Sequence, residues 1–454
     1  MTRLSRATVA RYGVGSLGTG GFATLPGLVL IYYLTDTLGV GAAVAGIIVA
    51  VAKIWDVAID PGIGAFADHR VARSGSRRGV MTIGALLLPV FFTLTFAAPA
   101  GLPTGVDALW VALAFLLAAT SFSLFQVPYI ALPAELTDRY DERTRLLTVR
   151  VVVLSVAILA FGAGGPALRE VGGSPTVGYL LMAVVAGVLI GVAMLIAARA
   201  ADAARPPASP DDGFSLSEGY RTGWAVLRRS EPLRTLLAAF MLQGLATGLM
   251  LAGAQYIATW VLDSEAAISG LFAALIAPAV VFAPLWGGFA RHVGKEVGFA
   301  SATVVFALAA LALAGLWIAP GWWVYPVIGV AGAAYAGMQA LPMAMLPDVI
   351  SHDESSSGRS SAGVVGGVWT AGETTGMALG AVLFTVILTV GGYISSDADS
   401  SVTQPGSAVS AMVAGFSVVP AVLALISLWF VIRYPLRRSD IDGTLPPSST
   451  EGAP

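Results

Sequence analysis

Runs of about 20 apolar residues, separated by short polar breaks, recur along the whole chain, and each is long enough to cross a hydrocarbon core of about 30 Å. The breaks delimit twelve spans, at 12–34, 40–66, 79–99, 107–134, 146–168, 176–199, 235–260, 265–290, 297–318, 320–345, 361–392 and 409–434. The longest connection, 200–234, opens polar and proline-rich (ADAARPPASPDDG) and continues amphipathic (FSLSEGYRTGWAVLRRS). It divides the chain six plus six. The pattern predicts an all-α integral membrane protein of two six-helix bundles, 1–199 and 235–434, with a cytoplasmic central loop over 200–234 and a disordered cytoplasmic tail over 435–454. The first apolar run is too long for a signal peptide and lacks a small-residue cleavage site, so it is read as a first transmembrane helix.

Charge orients this layout. Of the 25 Lys and Arg residues, all but Lys53, Arg150 and Arg169 fall on one side when alternate loops are grouped. Lys53 and Arg150 lie within spans, and Arg169 alone falls on the opposite side. The positive-inside rule then places both termini and the central loop in the cytoplasm of a cell-membrane protein. A weak repeat supports the two halves: GIGAFADHRVARSGSRRG follows span two and WGGFARHVGKEVG follows span eight, as in transporters built from paired bundles.

Composition adds exclusions. The 454 residues are 56% hydrophobic and 11% charged, far below the roughly 25% charged residues of soluble domains. With no cysteine and only His69, His292 and His352, all in loops or at helix ends, a metalloenzyme is not expected. The net charge of −2 gives no case for nucleic acid. No nucleophile–base pair appears within a span, so no enzyme is expected and no resident cofactor.

The informative stretch is span two, AGIIVAVAKIWDVAIDPGIGAFAD. Asp56 and Asp60 are one turn apart on one helix face, and Lys53 shares that face. At 1.5 Å per residue from Asp68, Asp56 lies roughly 18 Å deep and Asp60 roughly 12 Å deep. Two such carboxylates cost on the order of 5–7 kcal/mol if uncompensated. Lys53 offsets one charge, and the remaining unit is what a single Na⁺ or H⁺ would neutralise. A static ion-pair cluster is the alternative, and it leaves one carboxylate without a counter-charge. Pro61 is expected to kink the helix and to spare a carbonyl oxygen for a cation.

Other polar groups are candidates around that pair. Span four ends AATSFSLFQVPYIALPAEL, with Thr120, Ser121, Ser123 and Gln126 in a helix broken by Pro128 and Pro133. The hydroxyls either complete a cation shell or bond back to their own helix. Arg150 is read as pairing with Asp60 or Glu135, or as reaching the interface. Span eleven carries a third carboxylate, Glu373, in a glycine-rich helix without a cation of its own. Trp369, one turn before it, stacks on a substrate ring or fills lipid-facing space. Gln243, Gln255 and Gln339 are further candidate donors.

The stretches YYLTDTLGV, AKIWDVAIDPGIGAFADHRVARSGSRRG, RYGVGSLGTG, FQVPYIALPAEL, RTRLLTVRVV and LPDVISHDE together resemble the glycoside–pentoside–hexuronide:cation symporters of the major facilitator superfamily. The resemblance covers most of the chain. It implies the major facilitator fold, cation coordination by Asp56 and Asp60, and Ser123 at a hydroxyl ligand position. It also implies Lys53 as a basic residue beside the site and Arg150 as a gating residue. The family's two sugar-binding carboxylates fall at Gly20 and Gln126 here, and its lysine of span eleven falls at or near Thr374. A strong bidentate grip on sugar hydroxyls is therefore missing.

The expected function is symport of a small organic solute, sugar-like or amphiphilic, with a monovalent cation by alternating access. The substrate side is assigned to Gly20, Gln126, Gln339, Trp369, Glu373 and Thr374. Proton-driven export of an amphiphile, with Asp56, Asp60 and Glu373 carrying protons, is the rival on the same fold. A non-transporting sensor or scaffold would need a soluble domain that the short loops do not supply. The expected partners are the solute, the cation and the bilayer, with the chain acting as a monomer.

Overall fold

A computed structural model describes residues 4–99, 103–137, 140–204, 216–357, 362–396 and 402–436. Twelve of its helices, or helix pairs, are long and apolar enough to cross a membrane. The first half contains α1 (Arg6–Asp36), α2 (Ala42–Ser74), α3 (Arg78–Thr95), α4 (Thr104–Leu136), α5 (Tyr140–Glu170) and α6 (Pro175–Ala198). A short helix in the central connection, α7 (Leu216–Arg229), leads into α8 (Glu231–Tyr256), α9 (Ala267–Val293), α10 (Lys295–Ala312), α11 (Val324–Ser357) and α12 (Ala362–Val390). The last span is the pair α13 (Gly406–Phe416) and α14 (Val418–Ile432). Residues 205–215 of the central loop and 437–454 of the tail lie outside the described residues.

Several helices outrun their apolar spans toward the face that carries the N-terminus. The α2 helix continues to Ser74, α11 to Ser357, and α5 begins at Tyr140. Hydropathy marks only the length in lipid, whereas the backbone ladder continues wherever polar side chains meet water. The α2 helix also runs past residue 61 without a break. The last span does break, at Ser417 with φ −123° and ψ −72°. Pro420 lacks the N–H that would bond the Phe416 carbonyl, and the ladder fails there.

The first six spans pack as one group, α1 on α5 and α6, α3 on α4 and α6, and α2 on α4. The last six form the second, α8 on α12 and α14, α9 on α11, and α10 on α11 and α14. Small residues permit these approaches: a Cβ on Gly248 would meet the Met377 carbonyl oxygen at 2.2 Å, and one on Gly380 would meet that of Leu245 at 2.3 Å. This is the packing expected where lipid offers apolar side chains no advantage over one another. The groups meet through α2 on α12, α5 on α9 and α1 on α8.

The repeat is visible in detail. The α2 and α9 helices both end on a glycine with positive φ, Gly75 at 72° and Gly294 at 97°. Two residues past Gly75, Arg77 bonds Glu135 near the end of α4 at 2.7 Å; directly past Gly294, Lys295 bonds Asp348 of α11 at 2.6 Å. Each acid follows a pair of prolines five residues apart, Pro128 and Pro133 in α4, Pro342 and Pro347 in α11.

Candidate functional site

Asp56 and Asp60 flank the midpoint of α2. Lys53 Nζ lies 3.2 Å from Asp56 Oδ2, the intrahelical pair that the three-residue spacing predicts. Across the groove, α4 presents Ser123, within hydrogen-bonding reach of Asp60, and Gln126 one turn further on. Asp56 Oδ1, Asp60 Oδ1 and Gln126 Oε1 are buried without a hydrogen-bond partner. Buried polar atoms nearly always have one, so two orphaned carboxylate oxygens one helical turn apart call for a ligand. Carboxylate and hydroxyl oxygens are hard donors that suit an alkali cation, and either carboxylate can take a proton instead. Among the described residues no group of three or more His, Cys, Asp or Glu gathers as a metal cage.

Thr120 sits differently. Its hydroxyl donates to the Leu116 carbonyl at 2.8 Å and accepts from Trp55 Nε1 at 2.9 Å. Ser121 likewise bonds back, to Leu117 at 2.7 Å. Arg150 pairs with neither Asp60 nor Glu135. Glu135 is taken by Arg77, and the Arg150 guanidinium lies 5.6 Å from the Tyr129 ring centroid.

The residues assigned to the substrate divide into two sets. Gly20 is buried against α5, where a Cβ would meet Ala157 Cβ at 2.9 Å. Trp369 is 2% exposed and stacks on Phe240 with ring centroids 4.4 Å apart, facing neither lipid nor an open cavity. Gln243 is also internal, bonding Thr303 at 3.0 Å and Ser427 at 3.1 Å, and Gln255 bonds Thr259 at 3.1 Å. In contrast, Thr374 and Lys53 line a cavity of about 390 Å³ between α2 and α12. Gln339 Nε2 donates to the Tyr335 hydroxyl at 2.9 Å, and the charge of Glu373 on α12 reaches that phenol.

At the end away from the termini the two groups are fastened together. Tyr393 and Thr35 both hydrogen-bond the Asp36 carboxylate. The Thr35 hydroxyl also meets that of Tyr256 at 2.7 Å, and the Ser396 N–H donates to the Thr35 carbonyl at 2.9 Å. Arg169, 5% exposed, bonds Glu265 at 3.1 Å and the Tyr179 hydroxyl at 3.0 Å, with the rings of Tyr179 and Tyr32 at 5.2 and 5.9 Å. Ser269 donates to the Ala163 carbonyl at 2.8 Å. Sequence reasoning counted Arg169 as a loop charge and did not assign Asp36. The cluster of hydroxyls in Tyr32, Tyr33 and Thr35 beside the Asp36 carboxylate at the end of an apolar span was the available signal.

The sequence profile of the family described as MFS/sugar transport protein matches residues 11–438. The chain belongs to this family. The glucuronide carrier protein homolog of Escherichia coli K12 is 24% identical over 451 residues, covering 96% of this chain and 93% of that one. The sodium-dependent lysophosphatidylcholine symporter 1 of Mus musculus is 26% identical over 361 residues, 71% of this chain and 66% of its own. Among solved structures, a bacterial homologue of the iron transporter ferroportin in an inward-facing state superposes with a TM-score of 0.67 at 11% identity, covering 94% of this chain and 97% of that one. Family and fold make this protein a multi-pass membrane transporter of the major facilitator superfamily and not an enzyme. The resemblance read from YYLTD and AKIWDVAIDPG therefore identified the right family.

Proposed function

We propose that this transporter couples the movement of a small organic solute to a monovalent cation bound by Asp56 and Asp60. The observation that carries this is the pair of buried oxygens without donors, Asp56 Oδ1 and Asp60 Oδ1, beside a lysine that balances one of the two charges. Ser123 completes the shell from α4. Thr120 positions Trp55, and Arg150 stands at the Tyr129 ring. The basic residues on the terminus-bearing face support a cytoplasmic position for that face in a cell membrane, which makes the fastened far end the exterior one. The names of the E. coli and mouse relatives support a glycoside or an amphiphile as solute, and the mouse name supports sodium.

Uptake into proteoliposomes under an imposed Na⁺ or H⁺ gradient tests the proposal on a set of glycosides, glucuronides and lysophospholipids. Accumulation of at least one solute with one gradient, lost when the gradient is collapsed, is expected. Movement without dependence on either gradient would refute coupling, and proton-driven efflux would reverse the direction.

A further inference from the structure

Glu373 lies in the membrane-spanning part of α12, where a carboxylate costs roughly 2.5–3.5 kcal/mol without compensation. Asp56 has Lys53, and Asp36 has two hydroxyls. Among the described residues Glu373 has no ion pair and no hydrogen bond; the Tyr335 phenol of α11, to which Gln339 donates at 2.9 Å, is close enough to feel its charge. Lys53 is engaged with Asp56 at 3.2 Å.

Three features of α12 show which way this carboxylate can be reached. Gly372 and Gly376 set their side of the helix onto α8, where a Cβ would meet Leu237 at 2.6 Å and the Met241 carbonyl at 2.7 Å, so that side is sealed. Gly366, seven residues before Glu373 and on its face, has nothing within 4 Å of where a Cβ would stand, and Thr370 between them is exposed. The next residues, Thr374 and Thr375, line the cavity between α2 and α12. An anion without a partner thus stands at the edge of an open helix face, in the half of the transporter opposite the cation pair, with a phenol within range of its charge.

We propose that Glu373 is the counter-ion for a positively charged nitrogen on the transported solute, a hydroxylated organic amine such as an amino sugar or a choline-like head group. The carboxylate supplies a charge-assisted hydrogen bond or direct ion pairing. Tyr335 and Gln339 on α11, themselves 2.9 Å apart, offer hydrogen-bonding groups to the solute's hydroxyls. This assignment rests on the transport reading above and narrows its substrate class.

The test is equilibrium binding, read by thermal shift on the purified full chain, of two matched pairs. Glucosamine is compared with glucose, and choline with its uncharged carbon analogue 3,3-dimethylbutan-1-ol. At least one amine is expected to bind about tenfold tighter than its neutral partner, and Glu373→Gln is expected to erase that difference. Glu373→Asp, run in parallel, retains a weakened preference and controls for loss of folding. Neutral partners binding as well as the amines, no response to either amine, or a preference surviving in Glu373→Gln would each overturn the proposal. A proton titration lost in Glu373→Gln while amine preference is unchanged would overturn it in favour of a proton site. An amine that binds but moves on no gradient would refute transport and leave the assignment standing. Gradient-driven uptake of a neutral or acidic sugar without amine preference would do the reverse.

Discussion

Asp36 closes α1 at the far face with its carboxylate held by Tyr393 and Thr35, one from each half of the molecule. Asp56 and Asp60 lie at the middle of α2, and each keeps an oxygen that no donor meets. One region joins the two halves and the other lies between α2 and α4 of the first half, and both carry the cost of burying acidic side chains. They differ in where the compensation comes from. At Asp36 the chain supplies its own donors, and the result is a fastening. At Asp56 and Asp60 it supplies one lysine for two carboxylates, and the remaining charge is left for something that arrives and departs. A fastening of neutral hydroxyls around one anion is also reversible, because opening exchanges those hydrogen bonds for water at a net cost of about 1.5–3 kcal/mol each.

Breaking the unsatisfied side has the largest expected effect. Asp56→Asn removes a charged ligand and leaves Lys53 without a partner; truncating one member of such a set costs about 2–5 kcal/mol. Gradient-driven uptake in proteoliposomes should fall to background while expression and far-UV helicity stay near wild type. Uptake unchanged from wild type would remove Asp56 from the ion site.

Breaking the satisfied side comes next. Asp36→Ala removes the acceptor of the cross-bundle bond from Tyr393 and should cost the closed state about 1.5–3 kcal/mol. The absence of cysteine allows a direct readout: Leu251→Cys, where Leu251 packs against Gly27 across α8 and α1, would be the sole thiol. Its maleimide labelling in sealed vesicles should accelerate roughly tenfold in the Asp36→Ala background, whereas a neutral change elsewhere on α1 leaves it slow. An unchanged rate would show that Asp36 does not fasten the far end.

Two hydroxyls on α4 sharpen the comparison within the site itself. Ser123→Ala should weaken cation affinity by about tenfold, since it removes a group that faces Asp60 and an oxygen from the shell. Thr120→Val should change it by less than about twofold, because its hydroxyl already serves Leu116 and Trp55. Cation titrations of the two variants by thermal shift distinguish them, and equal effects would put Thr120 back among the ligands.

The membrane layout was legible because lipid imposes a length and a hydropathy on every span, and twelve of them survive without a missed crossing. The Asp56, Asp60 and Lys53 face was legible too, since charge in an apolar run demands an explanation and helical spacing puts the three together. Side-chain destinations set by tertiary packing were not. Trp369 and Gly20 look available in one dimension, yet Phe240 and Ala157 occupy their surroundings. Arg150 seemed free to reach Glu135 until Arg77, far away in the chain, was found holding it. The Pro128–Pro133 and Pro342–Pro347 pairs, each followed by an acid, carried the internal repeat more clearly than the basic loops did. The helix extensions beyond lipid were illegible to hydropathy, because nothing apolar marks them.

The central claim is that Asp56 and Asp60 together bind one coupling ion. It is tested most directly by titrating the purified protein with Na⁺ at constant ionic strength, and separately with protons in Na⁺-free buffer. Trp55 serves as a fluorescent reporter beside the site. One of the two titrations should give a saturable single-ion response in the wild type that disappears in Asp56→Asn and in Asp60→Asn. A response that persists in both variants, or no response to either ion, would contradict it.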